Sequence, residues 1–156
     1  MTQSFGNSFK KLEKLVMKDM KDMRKICSEK GIDHFLNPRN LGRIQVPDGF
    51  GRVTGPCGDT MEIYLSVNSN KAINATFWTD GCGPSIASGS MATELIKGKS
   101  VFEAQKISSN DILNALGGLS EESYHCALLA ANTLKEAVRN YLAFKNEPWK
   151  RLYRVH

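Results

Sequence analysis

The chain has 156 residues, 41% of them hydrophobic and 24% charged, and a net charge of +5, which suits a single domain with a core of its own. No apolar run approaches the roughly 18–20 residues that cross a bilayer. The lysine-rich start also carries Glu13, Asp19, Asp22 and Glu29 and has no signal-like apolar stretch, so a cytoplasmic location is expected and a membrane role is not. The charge is uneven, +4 over residues 1–30 and +3 over residues 145–156, with about −2 between them. No aromatic-and-basic stripe accompanies it, which argues against nucleic acid as a partner. Basic ends of this kind are solvated or dock on an acidic protein.

Residues 8–30 predict an amphipathic helix, because Phe9, Leu12, Val16, Met20, Met23 and Cys27 recur at three- and four-residue steps and form one apolar stripe. Gly31 is expected to end it. Cys27 lies on the stripe and reads as a small buried residue, not a ligand. Residues 33–43 predict a short helix broken at Asn37-Pro38, where proline disfavours helix at the residue before it. His34 within it could be a ligand, but a lone histidine on a short apolar helix is more often packed or surface-exposed. Three strands follow, over Gly49–Thr54, Thr60–Val67 and Ala72–Thr79, with a turn at Asn68–Lys71. In the second strand Met61, Ile63, Leu65 and Val67 alternate with Thr60, Glu62, Tyr64 and Ser66, the period of a sheet with two distinct faces.

An antiparallel meander brings the end of the first strand and the end of the third to the same sheet edge. Cys57, Asp59 and Cys82 are therefore expected to converge, although about 25 residues separate the two thiols. Pro84 marks a helix start, since proline is favoured at the first helical position, and that helix should run to about Ile96 and stop at Gly98. Its first turns are built of Ser85, Ala87, Ser88, Gly89, Ser90 and Ala92, small enough for another backbone to come close. Cys82 would sit at its positive end, where thiolate is favoured. Two short helices are expected near Val101–Gln105 and Asn110–Leu116, then a Gly117-Gly118 turn. A long helix from Ser120 to Phe144 follows, with Glu121 and Glu122 in its first turn and Ala127, Ala130, Leu134, Ala137, Val138 and Tyr141 on its apolar face. His125 and Cys126 fall near its start. The expected organisation is an N-terminal helical extension over 1–30, a domain over 31–144 and a basic tail over 145–156.

Cys57, Asp59, Cys82, His125 and Cys126 make up the candidate site. The four cysteines of the chain are widely spaced, which is not a disulfide framework. Three thiols, a carboxylate and an imidazole suit zinc and equally an iron–sulfur cluster. No CxxC pair occurs, so spacing alone leaves metal binding, catalytic thiols and buried structural cysteines all open.

These residues carry a resemblance. Gly55-Pro56-Cys57-Gly58-Asp59, Gly81-Cys82-Gly83-Pro84-Ser85-Ile86-Ala87-Ser88 and His125-Cys126 resemble the three cysteine motifs of the IscU/NifU-type iron–sulfur cluster scaffolds, and Asp33–Asn40 is similar to the N-terminal segment of that family. The resemblance covers roughly residues 30–143. It implies an α+β fold, a small three-stranded antiparallel sheet with helices packed against it, here with an extra N-terminal helix. It implies that Cys57, Cys82 and Cys126 receive iron and sulfide to build a [2Fe–2S] cluster, with Asp59 and His125 at the auxiliary ligand positions, and that zinc can occupy the cluster-free site. Sulfur would arrive as persulfide from a cysteine desulfurase, with Cys126 as candidate acceptor, and the cluster would pass to apo acceptor proteins. An iron donor, a chaperone and a second copy of the chain are further implied partners.

The family motif Leu-Pro-Pro-Val-Lys, recognised by a dedicated chaperone, is replaced here by Leu119–Ser123. The alternative is the SufU-like branch, zinc-dependent sulfur-transfer partners of a desulfurase. That branch carries an insertion between the second and third cysteines and tends to have arginine before the third. The 44-position separation of Cys82 and Cys126, and His125 itself, match the scaffold branch instead.

Overall fold

The computed structural model describes Lys21 and residues 27–149. Most of the helix expected over 8–30 lies outside the described residues, as does the tail beyond Trp149. The first described helix, α1 (Glu29–Leu36), begins where the earlier one was expected to end. Ser28 is its N-cap and accepts a hydrogen bond from the Gly31 N–H. Gly31 is thus inside a helix and does not terminate one. Its missing side chain has a packing role, since a Cβ there would stand 2.8 Å from the Cys27 Cβ. Cys27 itself pairs with Leu119 in an isolated antiparallel bridge, and the Ser28 hydroxyl donates to the Leu116 carbonyl. These non-local bonds tie residues 27 and 28 into the domain. At its other end α1 stops at Asn37, ahead of Pro38, as the proline dictates.

The sheet is the expected meander, with strand order β1 (Gly49–Thr54), β2 (Thr60–Val67), β3 (Ile73–Thr79), all antiparallel. Ile63 pairs with Gly51 on one side and Phe77 on the other. Met61, Ile63 and Leu65 are fully buried in the core. The opposite face of β2 is buried too at Glu62 and Tyr64. Glu62 accepts hydrogen bonds from Tyr64 (2.5 Å) and from Arg43 (3.2 Å), and the Arg43 guanidinium lies 4.5 Å from the Trp78 ring centre. A buried carboxylate needs such partners, because an unpaired charge removed from water is strongly unfavourable. Each outer strand has a backbone group engaged from elsewhere. Residues 40–42 make a parallel bridge to β3, with the Phe77 N–H donating to the Asn40 carbonyl and the Gly42 N–H to the Phe77 carbonyl. On β1, the Phe50 N–H donates to the Asn140 side chain.

After α1 the described helices are α2 (Gly83–Ile96), α3 (Val101–Gln105), α4 (Ser109–Leu116) and α5 (Tyr124–Asn146); α2 and α5 pack directly on the sheet, and α1, α3 and α4 pack on those two. The small residues of α2 receive two different neighbours. The Phe77 ring fills the space over Gly89, and the Arg39 backbone N–H donates to the Ser90 hydroxyl at 2.9 Å. His34 is packed, not surface-exposed, and hydrogen-bonds the same serine at 2.7 Å through Nδ1; burial holds its pKa below the usual histidine value. Capping boxes start both short helices, Ser100 with Glu103 and Ser108 with Asp111. Ser108→Ala removes the acceptor for the Asp111 N–H and is expected to cost about 1 kcal/mol, read as a lower denaturant midpoint at unchanged slope.

The long helix differs from expectation at its start. Glu121–Ser123 is a 3₁₀ turn, and the α-helical part begins at Tyr124, so Glu121 and Glu122 precede α5. Its expected apolar face, Ala127, Ala130, Leu134, Ala137, Val138 and Tyr141, is buried throughout. Alanines let α5 lie close on β1, where a Cβ at Gly51 would stand 2.3 Å from the Thr133 carbonyl oxygen. Among the described residues no helix is long and apolar enough to cross a membrane.

Candidate functional site

Three chain segments meet at one end of the sheet: the β1–β2 turn, the N-terminus of α2 and the N-terminus of α5. The turn is closed by the Gly55 N–H donating to the Asp59 carbonyl (2.8 Å) and the Gly58 N–H to the Gly55 carbonyl (3.0 Å). The end of β3 is clamped beside it. The Thr60 N–H donates to the Asp80 carboxylate (2.8 Å), and the Thr79 hydroxyl to the Thr60 carbonyl (2.8 Å). This clamp is the local reason that Cys82, two residues past Asp80, arrives next to Asp59.

Asp59 and Cys82 do converge, with Sγ 3.9 Å from the carboxylate Oδ2. Cys126 joins them from α5, and His125 Nε2 lies 3.5 Å from the Cys126 sulfur. The group at the centre is Ser85. Its hydroxyl is fully buried, lies within donating distance of Asp59 Oδ2 (3.2 Å) and of Cys126 Sγ (3.4 Å) with one proton to give to either, and lies 3.8 Å from Cys82 Sγ. From sequence Ser85 read only as a small residue. The available signal was its position three residues after Cys82 in a first helical turn, the spacing that puts two side chains on one helix face. Cys57 is exposed in the β1–β2 turn, and its charge bears on Cys126. Among the described residues no three His, Cys, Asp or Glu side chains already stand in a metal-holding arrangement. The residues share one end of the fold.

Electrostatics divides the two central thiols. Cys82 is exposed at the N-cap of α2, and its pKa is held down to about 5 by a hydrogen bond from the Cys126 thiol and further donors on Ser85, against burial and the nearby Asp59. Cys126 is 1% exposed, and its pKa is pushed far up, first because its proton is committed to Cys82 and then by burial. One proton shared by two sulfurs goes to the dry one, and the thiolate sits at the helix N-terminus, where the dipole favours it. Cys27, the fourth thiol, is buried as expected, and its pKa is pushed up to about 11 by burial and then by the charge of Cys82.

The NifU-like N-terminal domain family matches residues 26–148 of the chain. The iron–sulfur cluster assembly scaffold protein IscU 1 of Archaeoglobus fulgidus is 48% identical over 115 residues, covering 73% of this chain and 75% of the relative. The protein of the same description from Escherichia coli K12, IscU, is 45% identical over 119 residues, covering 73% and 92%. The solved structure of the N-terminal part of a NifU-like protein from Brucella abortus superposes with a TM-score of 0.58 at 17% identity, covering 74% of this chain and 94% of that one, which bears on the fold alone. The three-segment site is built on the sheet and helices that such proteins share, and the family match takes in Cys57, Asp59, Cys82, His125 and Cys126; the chain belongs to the NifU-like N-terminal domain family.

Proposed function

We propose that this protein is a scaffold on which an iron–sulfur cluster is assembled and then passed to apo acceptor proteins. The observation that carries the reading is the meeting of Asp59, Cys82 and Cys126 around the Ser85 hydroxyl at one sheet end, in a chain whose relatives are named as such scaffolds. The cargo is a [2Fe–2S] cluster, received by Cys57, Cys82 and Cys126 with Asp59 or His125 completing the set. Sulfur-rich ligation suits iron–sulfur clusters. A carboxylate in place of a fourth thiolate makes one bond harder and weaker, which favours release over permanent retention.

Sulfur comes from a cysteine desulfurase as persulfide. The exposed thiolate is Cys82, so it receives the sulfur first. It attacks the terminal sulfur of the donor persulfide, the donor S–S bond breaks, the donor cysteine leaves as thiolate and Cys82 becomes the persulfide. Cys126, the acceptor expected from sequence, holds its proton behind Cys82 and takes sulfur only once the site opens. Reduced thiols of this kind fit a cytoplasmic setting.

The deciding experiment is anaerobic reconstitution with ferrous iron, cysteine and a desulfurase, followed by visible absorption and metal analysis. The expected result is a thiolate-to-iron charge-transfer spectrum with iron and labile sulfide in equal amounts, lost in Cys82→Ser. Tightly held zinc that blocks cluster formation yet supports desulfurase turnover would point to sulfur transfer instead. Asp59→Ala is expected to leave a cluster that reaches an apo-ferredoxin several-fold more slowly than wild type; an equal or faster transfer rate would contradict the release role of the carboxylate.

A further inference from the structure

The far end of the molecule carries a feature that the cysteine site does not use. Between α3 and the last turns of α5 lies a recess of about 220 Å³, floored by Val101, Phe102, Tyr141 and Leu142 and flanked by Lys71 and Lys145. Phe102 is 78% exposed, which is unusual for a ring with an apolar recess beside it. A second recess, bordered by Lys135 and Arg139, continues from the first through Gln105 and Leu142. Arg139 is paired with Glu136. Among the described residues Lys71 and Lys145 make no ion pair.

We propose that this recess is a docking site for a short acidic amphipathic segment of a partner protein, one that seats a bulky apolar side chain against Phe102 and sets carboxylates against Lys71 and Lys145. Charge complementarity selects that occupant. The chain's own ends hold apolar residues but carry +4 over residues 1–30 and +2 over residues 146–156, so like charge opposes their seating between the two lysines. A second copy of the chain would need about 800 Å² per partner for a stable interface, whereas the recess takes only one or two side chains.

The position matters as well. α5 passes from Cys126 at the cysteine end to Lys145 at the recess, and 19 residues at 1.5 Å each put them about 28 Å apart. Lys71 lies in the β2–β3 turn, at the sheet end opposite Cys57 and Cys82. A segment docked here leaves the cysteine end open to other proteins. The inference stands on the apolar recess and its lysines and does not require the scaffold reading.

The test uses the full-length chain and a fluorescein-labelled hexapeptide, Glu-Asp-Leu-Phe-Glu-Asp, with Lys-Arg-Leu-Phe-Arg-Lys as charge-reversed control. Saturable anisotropy is expected for the acidic peptide alone, with amide shifts confined to α3, the β2–β3 turn and the end of α5. Lys71→Glu with Lys145→Glu should weaken binding about ten-fold, and Phe102→Ser should do the same with unchanged thermal unfolding. Several results overturn the proposal: no binding up to about 1 mM, equal binding of the basic peptide, unchanged affinity in the variants, or shifts at the cysteine end. So do amide contacts from the chain's own termini to Phe102, or a dimer that Phe102→Ser dissociates. None of these outcomes alters the cluster reconstitution result, so the two readings fail separately.

Discussion

Gly51→Ala is expected to cost about 3 kcal/mol of folding stability, which lowers the thermal midpoint by roughly 6–12 °C for a domain of this size. The cause is specific to the position. The added Cβ would stand 2.3 Å from the Thr133 carbonyl oxygen and 2.6 Å from the Ala137 nitrogen, and both are backbone atoms of α5. A flexible side chain can swing aside, whereas a helix must shift as a body. Because α5 also carries His125 and Cys126, that shift should reach the Cys126 thiol about two to three turns away. Gly55→Ala is the matched control. Its nearest neighbour would be a Leu129 methyl at 3.6 Å, an ordinary contact, and its denaturation curve should overlay that of the wild type. Equal stability of Gly51→Ala and Gly55→Ala would refute the packing account.

Cys126→Ala is expected to raise the Cys82 pKa from about 5 towards the ordinary cysteine range, because the largest influence holding it down is the hydrogen bond from Cys126. The sign follows directly. Losing a donor to the thiolate removes stabilisation from the charged form only, so the proton is held to higher pH. In the wild type, iodoacetamide labelling of Cys82 should rise through about pH 5. In the variant the rise should come later, with a rate at pH 6 lower by roughly ten-fold. Ser85→Ala should move the midpoint the same way by less, since its backbone N–H remains a donor. A labelling midpoint that does not move in Cys126→Ala would show that the α2 N-terminus alone sets the thiolate.

The strands and most helix limits were legible because their causes are local. Alternation through Thr60–Val67, Pro84 after Cys82, and Pro38 after Asn37 each act within a few residues. The convergence of Asp59 and Cys82 was legible as well, since a meander with short turns leaves little choice of edge. What escaped depends on partners far along the chain. Gly31 looked like a helix end because glycine often is one, but Ser28 capping and the Cys27–Leu119 bridge make it the inside of a new helix. The second face of β2 read as polar, yet Glu62 is buried by Arg43, a residue nineteen positions earlier. Ser85 and Cys126 lie 41 positions apart, and no pattern within either helix states that one hydroxyl serves Asp59 and both thiols. Nor does sequence reveal which sulfur stays dry, which is what divides the proton between Cys82 and Cys126.

A sheet of three strands has two outer edges, and exposed edges recruit strands from other chains, which is a common route to aggregation. In this protein both are interrupted in their own way. On β3 the Phe77 N–H and carbonyl are already taken by residues 40–42, and on β1 the Phe50 N–H is taken by a side chain of α5. An incoming strand would find the hydrogen-bonding row broken on either side. Among the described residues neither edge offers an uninterrupted row along which crowded chains could zip during synthesis.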